Sequence, residues 1–395
     1  MTPADGSPQR RGGVDTRRRI ALPEAELTQC MSIALLSYST KPRGGVVHTL
    51  ALAEALARAG QQVTVATLGR GGDSGFFRPV DQRVRQVIVP FADIEGEGVG
   101  HRVLRSIDTL RAAFDSDNFD IVHAQDCISA NAVDRCVRTV HHIDHFTTPE
   151  LVACHERAIV QPFAHVCVSA AVAAELREGW RIEATVIPNG VDAARFAAAA
   201  GPDPAAVSAR GRWRGRLGRY LLAVGGIEPR KGSLDLLEAY ALLPESRQDA
   251  RLVIAGGETL FDYRDYRQRW EQRAAEIEVD PVVLGPLAHD ELPSLVAAAS
   301  VFAFPSTKEG FGLAAMEALA AGVPLVVSDL PVLREIFDGV AGFADGPPAL
   351  AVELRRALAA PDPRRQSAGQ ALAARYTWAE AAERHIELYR SLLAA

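Results

Sequence analysis

Lysine is scarce in this chain: among 395 residues and 43 basic side chains, only Lys41, Lys231 and Lys308 carry an ammonium. Cysteine is sparse as well. Cys30, Cys127, Cys136, Cys154 and Cys167 are odd in number and form no C-x-x-C pair, which excludes a disulfide scaffold and reads as free thiols in a reducing cytoplasm. There is no basic surplus, since the formal charge is −6, so a dedicated nucleic-acid binder is excluded. No apolar run reaches the roughly 18 residues a membrane span requires; a peripheral position at the inner membrane face is the alternative to a freely diffusing protein.

What the chain does have is an ordinary globular composition, 48% apolar and 23% charged, long enough for two domains. Residues 1–30 are rich in Pro, Gly and Arg with no apolar stretch after the arginines. They read as a disordered tail rather than a signal peptide. From Ser32 onward short apolar strands alternate with Ala- and Leu-rich amphipathic helices, the pattern of a parallel sheet covered on both faces. The first series ends at Ile187-Pro188-Asn189-Gly190 and a second starts at Tyr220. The expected domains are residues 31–190 and 191–375, followed by a helix over 376–395 that packs back on the first domain. Two such halves leave a cleft between the carboxyl ends of two sheets, where open α/β sheets place ligands.

The three lysines fall in Gly- or Pro-bearing loops that follow strands, the positions where α/β proteins bind. Of these loops Ser306–Pro324 is the most informative. A buried strand ends at Phe304-Pro305, and Gly310-Phe311-Gly312-Leu313 turns into a helix whose free N–H groups attract anions. A diphosphate on those amides would leave Glu309 to accept hydrogen bonds from hydroxyls on one side and Glu317, about two turns into the helix, to take a vicinal diol on the other. Taken singly, Glu309 is equally an acid placed favourably at a helix N-terminus and Glu317 an exposed helical residue.

Glu309 and Glu317, separated by seven residues, resemble the hallmark of the retaining GT-B glycosyltransferases of family 4. The resemblance extends to Gly44-Gly45, Thr139-Val140-His141, Ile187 through Asp192, Val224-Gly225 through Arg230-Lys231-Gly232, and Trp378. It implies two facing Rossmann-like domains, transfer of a sugar with retention from a nucleoside-diphosphate donor to a hydroxyl acceptor, and neither metal nor other cofactor. It also implies His141 beside the anomeric carbon, Glu309 on the sugar hydroxyls, Glu317 on the ribose, and Lys231 on the diphosphate. One departure stands out. Family members usually carry an arginine directly after the first glycine of the second loop, where this chain has Gly226; Arg230 is the expected substitute, with a solvated surface charge as its alternative.

Several further residues are assigned more locally. The amides of Gly44 and Gly45 open a helix after the first strand and face the donor phosphates or the acceptor. Asp126, His142 and Asp144 lie at strand ends on the acceptor side, although Asp126 equally suits a helix cap. Zinc at His141, His142, Asp144 and His145 is disfavoured, because neighbours along a strand alternate faces and no distant Cys or His pair completes a tetrahedral set. The arginine-rich run around Trp213, residues 210–219, reads as a solvated connector, with anionic lipid or a phosphorylated acceptor as the alternative contact. A nucleotide-sugar epimerase, a phosphorylase and a non-catalytic nucleotide-sugar binder are the rival functions.

Overall fold

The computed structural model describes residues 30–144, 146, 148–243, 249–257 and 263–395. Residues 1–29 of the expected tail and His145 lie outside them. The compact unit runs Met31–Ala395 and contains two wholly parallel sheets.

The first sheet has seven strands in the order β3-β2-β1-β4-β5-β6-β7: β1 Ser32–Leu36, β2 Gln62–Arg70, β3 Val84–Phe91, β4 Ile121–Ala124, β5 Val137–Val140, β6 Ala164–Cys167 and β7 Thr185–Val186. The second has six, β10-β9-β8-β11-β12-β13: β8 Tyr220–Val224, β9 Arg251–Ala255, β10 Val282–Gly285, β11 Val301–Phe304, β12 Leu325–Ser328 and β13 Gly342–Ala344. The sequence pattern leads to each of these except β13, whose three residues are too few for periodicity to register. Both sheets are doubly wound and reverse direction between their first and fourth strands, so the switch points lie at β1/β4 and β8/β11. The loops singled out above follow those strands.

Burial explains the strand residues. Ile33 and Leu35 of β1 face Leu50 and Leu56 of helix Gly44–Arg58, while Ala34 and Leu36 face the opposite layer with Leu68 and Leu110. Both faces of the strand are therefore covered, which is why it reads as a continuous apolar run. In the second half, Phe302 and Phe304 pack with Met316 and Phe337, and Val301 and Ala303 with Leu237 and Leu354.

Helix Trp378–Leu393 belongs to the core of the first sheet: Ala381, Ala382, Ile386 and Tyr389 pack with Met31, Ile33 and Leu50. Arg384 donates to the Val186 carbonyl at 2.6 Å. The chain crosses between the halves twice, and Val191 donates to the Tyr376 carbonyl at 2.8 Å where the crossings run side by side.

The segment before β8, expected as a connector with local helix, is helical over most of its length. It folds as helices Ala193–Ala200 and Pro204–Leu217, the latter capped by Asp203, whose carboxylate accepts from Ala205 and Ala206 N–H. Trp213 is buried and donates from Nε1 to Ser294 Oγ at 3.0 Å. Arginines crowd this helix and leave no clear hydrophobic periodicity to read. Arg212, Arg214, Arg216 and Arg219 are exposed, so the run is solvated as expected, but it is a packed helix whose tryptophan belongs to the core.

Candidate functional site

The β8 and β11 loops are held together by backbone. Gly232, with φ +62°, lies so close to the Pro305 carbonyl that no Cβ fits between them, and Thr307 N–H donates to the Arg230 carbonyl at 2.9 Å. This contact sets Arg230 and Lys231 opposite Glu309. Lys231 Nζ lies 2.5 Å from Glu309 Oε1, Arg230 donates to the same oxygen at 3.1 Å, and Ser306 Oγ donates at 3.2 Å. The other oxygen, Oε2, carries no bond among the described residues. Burial alone would raise the Glu309 pKa, but Lys231 and Arg230 outweigh it and pull it to about 2. Burial also draws Lys231 below the usual lysine value, against the opposing pull of Glu309.

Arg230 is not a solvated surface charge. Besides Glu309 it faces Glu228, 3.9 Å away and buried, and it feels the charge of Asp144 from the other half of the molecule. The sequence offered Glu228 only as a loop residue; nothing in its spacing marks it as buried beside two cations. Gly225, Gly226, Lys231, Ser233, Phe304 and Ser306 line a cavity at the carboxyl ends of β8 and β11.

Past Glu309 the chain approaches the other half. A Cβ on Gly310 would collide with the His141 carbonyl oxygen. Gly312, at φ +91°, turns into helix Leu313–Ala320 and supplies no side-chain cap, so the first N–H groups of that helix remain available. Phe311 departs from its assignment as a donor contact: it is 3% exposed, lies within the hydrophobic core and meets the Tyr376 ring edge-on at 5.4 Å. Leu313 likewise packs its side chain on that core and offers only its backbone to a ligand. Glu317 is half-buried in the same helix. Burial lifts its pKa to about 7, with Arg195 pulling it down and Asp192 pushing it up.

On the facing side, helix Gly44–Arg58 starts at the glycine pair and also lacks a side-chain cap. Gly45 faces the His141 ring at 3.8 Å from its Cβ position, whereas Gly44 has open space. His141 Nε2 is buried without a hydrogen-bond partner. Burial, reinforced by neighbouring positive charges, keeps this imidazole well below its ordinary pKa and hence neutral. His48 packs edge-on against it with ring centres 4.7 Å apart and is itself fixed by Asn189 Oδ1 at 2.8 Å from its Nδ1. His48 was missed because it sits mid-helix with the spacing of a core residue, and Asn189 because it suits a turn.

Asp126 is committed to structure: Oδ1 accepts from Ser129 N–H at 2.8 Å and Oδ2 from Tyr38 N–H at 3.0 Å. It caps helix Cys127–Asn131, so both oxygens are engaged by backbone N–H groups. His142 and Asp144 pair with each other at 3.1 Å. Lys41 pairs with Asp73 at 2.8 Å on the surface. Among the described residues no group of three or more His, Cys, Asp or Glu could hold a metal ion, and no helix is long and apolar enough to cross a membrane.

This arrangement agrees with what the chain matches. Residues 42–195 match the family described as Glycosyltransferase Family 4, and residues 217–373 match Glycosyl transferases group 1. The chain is 30% identical to a D-inositol 3-phosphate glycosyltransferase of Xylanimonas cellulosilytica, over 90% of this chain and 96% of that one. It is 34% identical to O-antigen chain mannosyltransferase B of Escherichia coli, over 46% of this chain and about half, 47%, of the relative. Among solved structures, sucrose-phosphate synthase from Thermosynechococcus elongatus shares the fold with a TM-score of 0.74 at 21% identity, covering 92% of this chain and 99% of that one. Anabaena HepE, solved with UDP and glucose, does so with a TM-score of 0.69 at 21% identity, covering 91% and 99%. Two parallel Rossmann-like sheets, an acid pair at 309 and 317, and full-length similarity together place this chain among the GT-B glycosyltransferases of family 4.

Proposed function

We propose that the protein moves a sugar from a nucleoside-diphosphate donor to a hydroxyl acceptor with retention at the anomeric carbon and without a metal. The observation that carries this reading is the clasp of Lys231 and Arg230 on one oxygen of Glu309, beside an uncapped helix N-terminus. A departing diphosphate needs fixed positive charge and oriented N–H groups in a site that excludes water. Lys231, Arg230 and the amides of the Gly310–Gly312 turn supply them.

When a donor enters, its phosphates take the two cations, and Glu309 turns to the sugar hydroxyls. Glu317 receives the ribose diol. The transfer is read as substitution from the donor face: the leaving phosphate oxygen accepts the acceptor's proton as the new glycosidic bond forms. The neutral His141 holds the sugar near C1 and donates or accepts one hydrogen bond.

The test is enzyme-dependent hydrolysis of activated sugars together with a melting-temperature panel of UDP, GDP and ADP. One nucleotide should raise the melting temperature, and its sugar should be hydrolysed slowly with the released hexose retaining its anomeric configuration at first. Binding without any turnover would favour a non-catalytic binder. Inversion would remove the retaining mechanism.

A further inference from the structure

His141 holds the donor sugar in the reading above, and its ring is oriented by packing. The imidazole is half-buried, and its Nε2 has no hydrogen-bond partner among the described residues. A group that meets a sugar at hydrogen-bond distance must nevertheless be held at a defined angle, because small misplacements are costly. Helix Gly44–Arg58 provides that hold. The Cβ position of Gly45 lies 3.8 Å from both Cδ2 and Nε2 of His141. His48, one turn further on, meets the ring edge-on, with centres 4.7 Å apart and planes at 79°.

A hydrocarbon side chain would pack at position 48 at lower cost, since His48 is buried and an imidazole loses its hydration there. What the imidazole adds is direction. Its Nδ1 lies 2.8 Å from Asn189 Oδ1, and an amide oxygen only accepts, so the neutral ring donates from Nδ1 and its plane is fixed. Asn189 is itself 4% exposed and stands at the start of the first crossing between the halves. On another side His48 meets the Trp378 ring edge-on with centres 5.4 Å apart, and Trp378 stands at the end of the second crossing. The crossings are pressed together at this level, because a Cβ on Gly190 would collide with the backbone of Trp378. One buried side chain thus touches the His141 imidazole and the roots of both segments that join the halves.

We propose that His48 is a positioning residue for sugar transfer: it sets the angle of the His141 ring and keys that angle, through Asn189 and Trp378, to the junction of the two halves. The inference rests on the transferase reading above. In that reading Lys231, Arg230 and Glu317 of the second half grip the nucleotide, whereas His141 of the first half meets only the sugar. Loosening His48 therefore misplaces the reacting end of the donor and leaves the hold on the nucleotide intact. The expected signature is a loss in kcat without a matching loss in nucleotide affinity.

The experiment uses the full chain, the nucleoside diphosphate that raises its melting temperature, and the corresponding activated sugar. His48→Phe keeps a ring against His141 and removes the hydrogen bond; Asn189→Leu keeps His48 and removes the acceptor. Each should lower kcat for donor hydrolysis at least tenfold, while the nucleotide concentration needed for a given rise in melting temperature stays within twofold of wild type. Because the two residues share one bond, the double variant should be within threefold of the slower single variant. Asn189→Asp, which keeps an accepting oxygen, should return kcat to within threefold of wild type. Should His48→Phe not fold, the contrast between Asn189→Leu and Asn189→Asp tests the same bond. An unchanged kcat overturns the proposal, as do losses that multiply in the double variant or an Asn189→Asp protein as slow as Asn189→Leu. Nucleotide binding that falls in step with kcat marks a merely structural role and overturns it too. A wild-type protein that neither binds a nucleotide nor hydrolyses its sugar overturns the transferase reading instead.

Discussion

The backbone of Gly310 lies against the carbonyl oxygen of His141, with no room for a Cβ between them. These residues come from different halves of the molecule, one from the turn after β11 and the other from the end of β5. Gly310→Ala should therefore act as a wedge. We expect donor hydrolysis to fall at least a hundredfold, since misplacing aligned groups by about 1 Å costs on that order, and stability to drop by about 1–3 kcal/mol, as overpacking does. Gly44→Ala, which meets open space, is the control. Equal activity in the two variants would show that the approach of the halves is incidental.

If Glu317 takes the ribose as proposed, it couples nucleotide binding to pH. Burial places its pKa at about 7 in the unliganded protein. A carboxylate that accepts both hydroxyls of a ribose must be ionised, so binding releases a proton when the pH is below that value. Nucleotide affinity should decline about tenfold per unit as pH falls below 7 and level off above it. Glu317→Gln should flatten the profile and weaken binding at pH 8. Calorimetric titrations in two buffers of different ionisation enthalpy would count the proton directly.

The same burial makes Glu317 a liability to the empty fold. Its folded pKa lies above the unfolded carboxyl value of 4.5, so the unfolded state ionises first and stability is lost as pH rises from about 4.5 to 7. Glu317→Gln should consequently be more stable than wild type at pH 8 by up to about 3 kcal/mol and no more stable at pH 4.5. Denaturant midpoints at the two pH values check it. An equal effect at both would mean that packing rather than charge decides.

Four buried imidazoles oppose this trend on the acid side. His48 and His385, each 1% exposed, are held neutral by burial, with pKa values near 3 and 4, and His123 and His141 lie well below 6.5 for the same reason. Because the unfolded chain takes up these protons first, the stabilisation is complete above pH 6.5 and is lost as pH falls toward 4, at about 1 kcal/mol per histidine per unit. His385 and Tyr389 tie helix Trp378–Leu393 to His123, whose Nδ1 lies 2.6 Å from Tyr389 Oη. Acid unfolding should thus begin with release of that helix. Hydrogen exchange at pH 5 should expose residues 378–393 before β1; simultaneous exposure would refute the order.

What was legible in the sequence was local. Strand β1 is apolar on both faces, so its run announces a covered parallel strand, and Gly310-Phe311-Gly312 announces a tight entry into a helix. Phe311 illustrates the limit: one residue of a binding turn can point into the core, and spacing does not say which. Arg230 shows the reverse, since only the pairing of two loops reveals that it shares an oxygen with Lys231. The helix around Trp213 was hidden because arginines at most exposed positions look like solvated linker, while one tryptophan and Leu217 do the packing.

Arg230 and Lys231 carry the last prediction because they stand where a donor diphosphate would sit and Gly226 leaves the usual arginine position empty. Each should contribute a charge-assisted hydrogen bond to the phosphates, about 1.5–3 kcal/mol, or roughly 10–100-fold in affinity. Lys231→Ala and Arg230→Ala should both weaken nucleoside-diphosphate binding by that factor and reduce turnover further, because charge on the leaving group grows toward the transition state. Nucleoside itself, lacking phosphates, should bind all three proteins alike. Their effects should not add, since Glu309 bridges both cations and freeing one changes its hold on the other. If Arg230→Ala binds the diphosphate as wild type does while Lys231→Ala does not, Arg230 serves only to position Glu309, and the clamp has a single cation.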